Sequence, residues 1–188
     1  AVATGPLAPG LFLRVGADST VTVISANTEL GQGAYTGLAT LVAEELDADW
    51  SQVVVEAAPA DVKLFGNPAF GGALQGTGGS TTVAAFWDPM RQAGATARAM
   101  LVGAAAQQWS VPASEITIEN GVVSHAGKKK SAKFGDLVAA AAALPVPEGA
   151  KVKDPKDFRL IGKPTPRVDS VAKSTGKAMY TQDVQLPD

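Results

Sequence analysis

The hydrophobic period of this chain changes across the short segment Gly31-Gln32-Gly33, and that change limits the folds available to it. Before the segment, residues 11–15 and 20–24 are strand-like and flank a turn-rich tetrapeptide, which predicts a hairpin. After it, residues 38–46 carry apolar side chains at the spacing of an amphipathic helix. A strand-like run at residues 52–56 follows. This part of the chain is therefore predicted to be a strand–helix–strand unit.

The middle of the chain contains a long connection and then a second helical region. Residues 59–80 are rich in Gly and Pro and have no hydrophobic period. Connections of this length inside a compact domain are usually functional or disordered. Helical composition begins again after Ser80, with a stripe of small apolar residues. Asp88-Pro89 either bends this helix or begins a second one, because proline suits a first helical position and harms an interior one.

The last part of the chain adds a hairpin and a short helix. Residues 116–119 and 122–123 are strand-like and flank Asn120-Gly121, which is typical of a type I′ turn. Residues 134–144 have the composition of a short helix, and residues 178–184 are strand-like. The mixture of a strand–helix–strand unit with a later hairpin and helix predicts an α+β fold.

Proline is concentrated between residues 145 and 166, which predicts a crossing segment or linker. Only a short tail, residues 168–188, follows it. We therefore expect one domain over residues 1–150, with an extended linker and the start of another domain over residues 151–188.

The composition excludes several kinds of chemistry. The absence of cysteine removes disulfides, thiolate catalysis and cysteine-ligated zinc or iron–sulfur clusters. His125 is the only histidine, and we interpret it as a surface or packing residue. A net charge of -2 argues against binding to nucleic acid, and no apolar run could span a bilayer. We interpret the basic run Lys128–Lys130 as a solvated loop. The acids Glu44, Glu45, Asp47 and Asp49 could suggest a metal site, but we interpret them as a solvated helix end.

Two glycine-rich segments lie where a binding site could form. Residues 28–36 connect a strand to a helix, and two glycines around Gln32 would let backbone approach a ligand closely. The helix that follows would offer unpaired N–H groups and a positive dipole end to an anion. Residues 75–82 combine glycines with hydroxyl side chains before the next helix, which suits a phosphate or pyrophosphate. A plain strand-to-helix turn and a flexible loop with a Ser or Thr cap are the respective alternatives.

A third segment, Lys173–Ala178, is similar to a phosphate-binding P-loop but departs from its pattern. Val171 stands where the first glycine belongs, and Ala178 stands where the final Ser or Thr belongs. The backbone approach to phosphate and the hydroxyl that binds magnesium would both be missing, so we do not predict a nucleotide site here.

The two glycine-rich segments resemble cofactor-binding motifs of the xanthine oxidase/aldehyde oxidase family of molybdenum hydroxylases. Glu29–Thr36, together with Ala43-Glu44-Glu45-Leu46, resembles the Gly-Gln-Gly segment of the large, molybdenum-binding subunit. Gln75–Val83 resembles the second cofactor loop of that subunit. Residues 154–164 match the isoquinoline 1-oxidoreductase-like and aldehyde dehydrogenase branch. Residues 167–183 are similar to the opening of its hammerhead domain, so the resemblance covers nearly the whole chain.

The resemblance implies part of a molybdopterin-binding domain with a C-terminal tail that opens the hammerhead domain. It implies hydroxylation of aldehydes or N-heteroaromatic rings with oxygen taken from water. The cofactor would be molybdopterin cytosine dinucleotide with molybdenum, shared with a partner chain, and other subunits would hold an iron–sulfur cluster or haem. The residues it assigns to cofactor binding are Gly31, Gln32, Gly33, Gly78, Gly79, Ser80, Thr81 and Thr82.

No catalytic or metal-ligating residue is assigned, because the family's catalytic glutamate and other cofactor loops match no position of this sequence. The expected partners are a larger chain with the rest of the molybdenum subunit, an iron–sulfur small subunit, with or without a cytochrome, and a small-molecule substrate. The small-residue start at Ala1-Val2-Ala3 favours the periplasm, with the cytoplasm as the alternative. Two other functions stay open, namely a non-catalytic interaction or assembly domain and an independent nucleotide-phosphate-binding module.

Overall fold

A computed structural model describes residues 5–186 of the chain. The start at Ala1-Val2-Ala3, on which the expected location depends, lies outside these residues. Helices and strands both occur, which confirms the predicted α+β fold. The strands are β1 (Leu13–Val15), β2 (Val21–Ser25), β3 (Val53–Ala57), β4 (Thr117–Glu119), β5 (Val122–His125) and β6 (Lys130–Lys133). The helices are α1 (Ala34–Leu46), α2 (Val62–Phe65), α3 (Thr82–Trp109), α4 (Phe134–Ala142) and α5 (Ser170–Ser174).

The first sheet has the order β1-β2-β3 and carries the predicted strand–helix–strand unit. β1 is antiparallel to β2, as the predicted hairpin requires, and β2 is parallel to β3 with Val21 opposite Val53. α1 makes the crossover between the parallel pair. Because the strands are rich in β-branched residues and α1 has an apolar stripe, the two bury each other. Val23 and Leu38 are both fully buried in that core.

α3 is one continuous helix, so Pro89 neither begins a second helix nor ends the first. It packs most closely against α1, where Gly94 faces the backbone of the neighbouring helix. A Cβ at Gly94 would lie only 2.5 Å from the carbonyl oxygen of Val42. The small-residue stripe predicted for this region therefore serves the contact between the two helices.

The second sheet has the order β4-β5-β6, and both of its pairings are antiparallel. Asn120 and Gly121 both have positive φ, 46° and 73°, which confirms the predicted turn. Lys128, Lys129 and Lys130 are all exposed, as predicted, and Lys128 Nζ also donates to the carbonyl oxygens of Trp109 and Ser110 at the end of α3. This ammonium satisfies carbonyl groups that a helix end leaves unpaired.

The acidic end of α1 corrects one expectation, because Glu44 and Glu45 are buried rather than solvated. The segment of residues 151–169, here called the strap, covers them. Lys153 Nζ donates to Glu44 Oε1 over 2.9 Å, and Arg91 Nε donates to Glu45 Oε1 over 2.8 Å. The backbone N–H groups that also reach Glu44 belong to Arg159, Leu160 and Ile161.

The C-terminal tail differs from its prediction. Residues 178–184 contain a 3-10 turn at Thr181–Asp183 instead of a strand, and within residues 5–186 no strand pairs with this segment. An isolated strand-like run has no ladder partner for its backbone groups, so a local turn replaces it. The division of the chain near residue 150 stays a prediction. Among the described helices, none has the length and apolar character that a bilayer crossing needs.

Candidate functional site

The fold brings the two predicted glycine-rich segments into direct contact. We call residues 27–33 the first loop and residues 75–82 the second loop. The Thr28 N–H donates to Thr77 Oγ1 over 2.8 Å, and Asn27 Nδ2 donates to the Gly76 carbonyl over 3.1 Å. The first loop leads into α1 and the second into α3, and α1 and α3 pack side by side. Two segments that lie about 50 residues apart in sequence therefore form one surface.

A cavity of about 400 Å³ lies between the two loops. Its wall combines apolar side chains with hydroxyl groups, a carboxamide and exposed backbone. This mixture is typical of a small-molecule or cofactor site, where a few polar groups orient a largely apolar contact. The lining residues are Leu30, Gln32, Gly33, Ala34, Thr77, Gly78, Ser80, Thr82 and Val83. Five of the eight predicted site residues, Gln32, Gly33, Gly78, Ser80 and Thr82, are therefore in this wall.

The start of α1 offers fewer free N–H groups than the sequence predicts, because the Glu29 carboxylate accepts those of Gly33 and Tyr35. Glu29 Oε1 accepts from the N–H groups of Gly31 and Gly33 over 2.7 and 3.0 Å, and Oε2 accepts from Tyr35 over 3.1 Å. The Glu29 side chain is only 4% exposed. An internal carboxylate thus takes part of the position predicted for a bound anion, because Glu29 is close enough in sequence to fold back onto the helix start.

The carboxylate of Glu29 is held in its ionised form. Burial by itself raises its pKa, but hydrogen bonds from the N–H groups of Gly33, Tyr35 and Gly31 outweigh that effect and leave the pKa below its ordinary value. At neutral pH the first loop therefore carries its own carboxylate at the helix start, and this carboxylate occupies N–H groups that an anionic ligand would otherwise accept.

The Gln32 side chain is hydrogen-bonded within its own loop. Its Oε1 accepts from the Leu30 N–H over 2.6 Å, and its Nε2 donates to the Thr28 carbonyl over 3.1 Å. A carboxamide has a second lone pair and a second N–H, so Gln32 can still bond to a ligand at the cavity wall. The predicted contact between Gln32 and a cofactor stays a prediction.

The two loops contain glycine for different structural reasons. Gly31 and Gly33 have φ of 108° and 92°, which only glycine adopts without strain. Gly78 has no such constraint, and no atom lies within 4 Å of the position that its Cβ would occupy. Nothing in the described chain requires Gly78 to lack a side chain, so the space beside it is available to a ligand.

The start of α3 is the better candidate for an anion. The N-cap residue Thr81 makes no side-chain hydrogen bond to the helix, and its Oγ1 donates instead to the Gly78 carbonyl over 2.8 Å. Thr82, in the first turn, lies in the cavity wall. Ser80 has a positive φ of 56°, a conformation that costs a non-glycine residue about 1–2 kcal/mol. The second loop is therefore strained beside an uncapped helix start, which is typical of a binding loop.

Sequence reasoning missed several residues that build this site. Asn67 Nδ2 donates to Thr81 Oγ1 and to the Gly76 carbonyl, both over 3.0 Å, and so supports the second loop. Asn27 is 2% exposed, and its Oδ1 has no hydrogen-bond partner among the described residues. A buried acceptor of this kind is expected to meet a donor in the assembled protein. No local motif distinguishes either asparagine, because their partners belong to distant segments.

The other candidate residues are structural. The P-loop-like segment begins inside the short helix α5, and its Lys173 Nζ contacts Asp169 Oδ2 over 2.6 Å. His125 is buried and its Nε2 lies 2.8 Å from Glu115 Oε2, as expected for a packing residue. No group of three or more potential metal ligands occurs in the part of the chain that the structure describes.

The first loop and the second loop belong to a segment that matches a known family. A family model described as molybdopterin cofactor-binding domain covers residues 3–182. The chain is 39% identical to the beta subunit of isoquinoline 1-oxidoreductase from Brevundimonas diminuta, over 96% of its own length and 27% of that relative. It is 32% identical to the B subunit of nicotinate dehydrogenase from Pseudomonas putida, over 98% of this chain and 16% of that one. The chain therefore spans about a quarter or less of the length of these relatives.

A third relative and two solved structures complete the comparison. The membrane-bound aldehyde dehydrogenase [pyrroloquinoline-quinone] of Gluconacetobacter polyoxogenes is 34% identical over 97% of this chain and 23% of its own. Quinoline 2-oxidoreductase from Pseudomonas putida 86 superposes with a TM-score of 0.50 at 24% identity, over 74% of this chain and 17% of that one. CO dehydrogenase from Oligotropha carboxidovorans superposes with a TM-score of 0.51 at 19% identity, over 66% and 15%. At these identities the two structures support the fold alone. Because the family model covers nearly the entire sequence, this chain belongs to the molybdopterin cofactor-binding domain family.

Proposed function

We propose that this chain is part of the molybdenum-cofactor-binding subunit of an oxidoreductase that hydroxylates aldehydes or N-heteroaromatic rings with oxygen from water. The observation that carries the proposal is the cavity of about 400 Å³ that the two loops build together. Both loops carry motifs of the family, and they meet although about 50 residues separate them. The names of the relatives, which include an isoquinoline, a nicotinate and an aldehyde enzyme, support this class of substrate.

The cavity wall fits a cofactor with a flat ring and a phosphorylated tail. Leu30 and Val83 supply apolar surface for a ring system, and the Gln32 carboxamide can donate to and accept from a ring edge. The uncapped start of α3, beside Ser80 and Thr82, suits a phosphate. We also propose the cytosine dinucleotide form of molybdopterin, which the resemblance of the two loops to the family's motifs implies.

When bound, the cofactor supplies the redox chemistry of the reaction. This chain supplies shape and hydrogen bonds, and its own residues contain no base that we place at the reacting atoms. Because the chain spans 27% or less of its relatives, we propose that the rest of the molybdenum subunit completes the active site. A two-iron two-sulfur subunit, with or without a cytochrome, would carry the electrons, because a chain without cysteine cannot ligate a cluster through thiolates. The buried Asn27 Oδ1, which has no hydrogen-bond partner among the described residues, is available to accept a hydrogen bond from another part of the assembly.

A pair of matched glycine variants tests the proposed site. Gly78→Val places a side chain into open space beside the cavity without backbone strain. Gly10→Val makes the same change at an exposed glycine that is also free of contacts and lies outside the cavity wall. In the complex purified from its source, we expect Gly78→Val to lose most of its molybdenum and its acid-released cytidine nucleotide. Gly10→Val should keep both.

Several results would count against the proposal. Wild-type complex without molybdenum would exclude the cofactor, and release of pyrroloquinoline quinone instead would favour the chemistry named for one relative. Equal molybdenum content in the two glycine variants would show that the cavity is not the site. Retained phosphate or nucleotide binding by the chain separated from its partners would favour the independent nucleotide-binding module. If no ligand is found at all, the interaction-domain alternative is favoured.

We also propose that the complex works in the periplasm. The support is the resemblance to a branch whose members are commonly exported. Cell fractionation with a cytoplasmic and a periplasmic marker tests it, and recovery of the molybdenum-containing complex with the cytoplasmic marker would exclude it.

A further inference from the structure

The strap follows α1 from its C-terminal end to its N-terminal end and finishes at the first loop. At one end, the Lys153 N–H donates to Glu45 Oε2 over 2.8 Å. At the other, the Val168 N–H donates to Thr36 Oγ1 over 3.2 Å. Between these points, Trp50 Nε1 donates to the Pro166 carbonyl over 3.1 Å. The strap is therefore fixed along its length by hydrogen bonds to the α1 region.

The guanidinium of Arg167 contacts both the first loop and the end of the strap. Its Nη1 donates to the Gly31 carbonyl over 2.9 Å, and its Nη2 donates to Glu29 Oε1 over 3.3 Å. Its Nε lies 3.0 Å from Asp169 Oδ1 and its Nη2 lies 3.0 Å from Asp169 Oδ2, which is the bidentate arrangement that a guanidinium favours. Lys173 contacts the same Asp169.

Glu29 and Arg167 both bond to the backbone of the first loop or to each other. Glu29 accepts the N–H groups of Gly31 and Gly33, so its position determines the conformation of the Gly31–Gly33 segment. Arg167 holds that carboxylate from the outside and also bonds the Gly31 carbonyl. The backbone of the loop is thus fixed on both its N–H and its C=O sides by charged groups, one from the loop and one from the strap.

We propose that Arg167 is a positioning residue for the cofactor loop, acting through Glu29 and the Gly31 carbonyl to hold the Gly31–Gly33 backbone in its binding conformation. The proposal rests on the proposed function in one respect, namely that this loop binds the cofactor. Arg167 is not in the wall of the cavity between the loops, so its effect on a ligand is indirect. The strap then links the cofactor loop to the far end of α1.

The test compares Arg167→Ala with Arg159→Ala in the full complex. Arg159 lies on the same strap, and its replacement by Ala removes the same positive charge. Its side chain, however, is 55% exposed and pairs with Glu119 and Asp47 rather than with the first loop. Hydrogen exchange is measured on peptides that cover residues 29–36, in complex made without molybdenum cofactor. Molybdenum per protomer is measured in complex made with it. Arg167→Lys is the conservative variant, which keeps the charge and removes the bidentate geometry.

We expect Arg167→Ala to accelerate exchange in residues 29–36 by on the order of tenfold and to lower molybdenum content, with Arg159→Ala matching wild type in both. Arg167→Lys should fall between the two. Unchanged exchange in Arg167→Ala would overturn the proposal, and so would faster exchange with full molybdenum content, since Arg167 would then be merely structural. If the wild-type complex carries no molybdenum, the proposed function fails. In that case the exchange measurement still decides whether Arg167 holds the loop.

Discussion

Replacement of Glu44 by Gln should open the strap locally while the rest of the fold stays intact. Glu44 is fully buried, and its two carboxylate oxygens accept from Lys153 Nζ and from the backbone N–H groups of Arg159, Leu160 and Ile161. Glutamine keeps the shape of the side chain, but it is neutral and replaces one acceptor oxygen by an NH₂ donor. That donor would face the ammonium of Lys153 or a backbone N–H.

The size of the effect follows from these contacts. A hydrogen bond to a charged group contributes about 1.5–3 kcal/mol and a neutral one about 0.5–1.5 kcal/mol, so each bond that loses its charge loses about 1 kcal/mol. Three backbone bonds weaken in this way, which gives about 3 kcal/mol, near the lower end of the cost of breaking a buried ion pair. At about 1.36 kcal/mol per factor of ten, amide exchange through local opening should accelerate by about 150-fold.

Hydrogen exchange of peptides that cover residues 157–163 measures this opening directly. Glu119→Gln is the matched control, because Glu119 also pairs with the strap, through Arg159, but is 71% exposed. An exposed pair contributes about 0–1 kcal/mol, so the control should change exchange by less than about fivefold. An equally small change in Glu44→Gln would refute the reasoning that the buried carboxylate holds the strap.

The same site predicts a dependence on pH. Burial raises the pKa of Glu44, but the N–H groups of Leu160 and Ile161 and the ammonium of Lys153 outweigh it and leave the pKa below the ordinary 4.5. A carboxyl whose folded-state pKa is lowered stabilises the fold fully above its ordinary pKa, and that contribution is lost as pH falls through the lowered value. Strap exchange, corrected for its intrinsic rate, should therefore accelerate below about pH 4.5 in wild type. Glu44→Gln should lack this acid dependence.

Three further predictions concern the helix contact and the first loop. Gly94→Ala should destabilise the fold by about 3 kcal/mol in chemical denaturation, because its Cβ would lie 2.5 Å from the Val42 carbonyl oxygen. Gly103→Ala in the same helix should cost far less, because its Cβ would meet only the end of the flexible Leu144 side chain, at 3.2 Å. Equal stability of the two variants would contradict the close approach of the helices. Gln32→Ala should lower molybdenum content, since it removes one or two hydrogen bonds of about 0.5–1.5 kcal/mol each; full content would make the segment a structural turn. Because the pKa of Glu29 is lowered, protection of the first loop from exchange should be lost only as pH falls below 4.5, and Glu29→Gln should remove that protection at neutral pH.

Local patterns in the sequence were sufficient for most elements of secondary structure. The change of period at Gly31–Gly33 predicts β2 and α1, and Asn120-Gly121 predicts the β4–β5 turn with both φ values positive. These features depend on side-chain alternation and on backbone conformations that only a few residue types adopt, so neighbours in sequence determine them. Pro89 shows the limit of local patterns: they left open whether it lies within one helix or begins a second, and the structure has it inside α3, which packs against α1 and α4.

The motifs also located both glycine-rich loops of the proposed site, but they could not show which hydrogen bonds each loop makes within the chain. Sequence reasoning expected free N–H groups at the start of α1, and the structure places Glu29 there. It treated Glu44 and Glu45 as solvated, although both are buried. Arg167 and Lys153, the cations at these sites, are more than 100 residues away in sequence. A charge pattern read within one helix contains no information about a segment so distant.

The sequence by itself determined the fold class, the order of most elements and the position of the two glycine-rich loops, because short-range backbone preferences and hydrophobic periods act between neighbours. The tertiary structure alone decided that the loops meet around one cavity and that the strap follows α1. It also decided that Glu29, Glu44 and Arg167 are partners of distant groups. Whether a carboxylate is solvated or buried depends on which segment the folded chain places over it, and the free energy of that contact is distributed over the whole core.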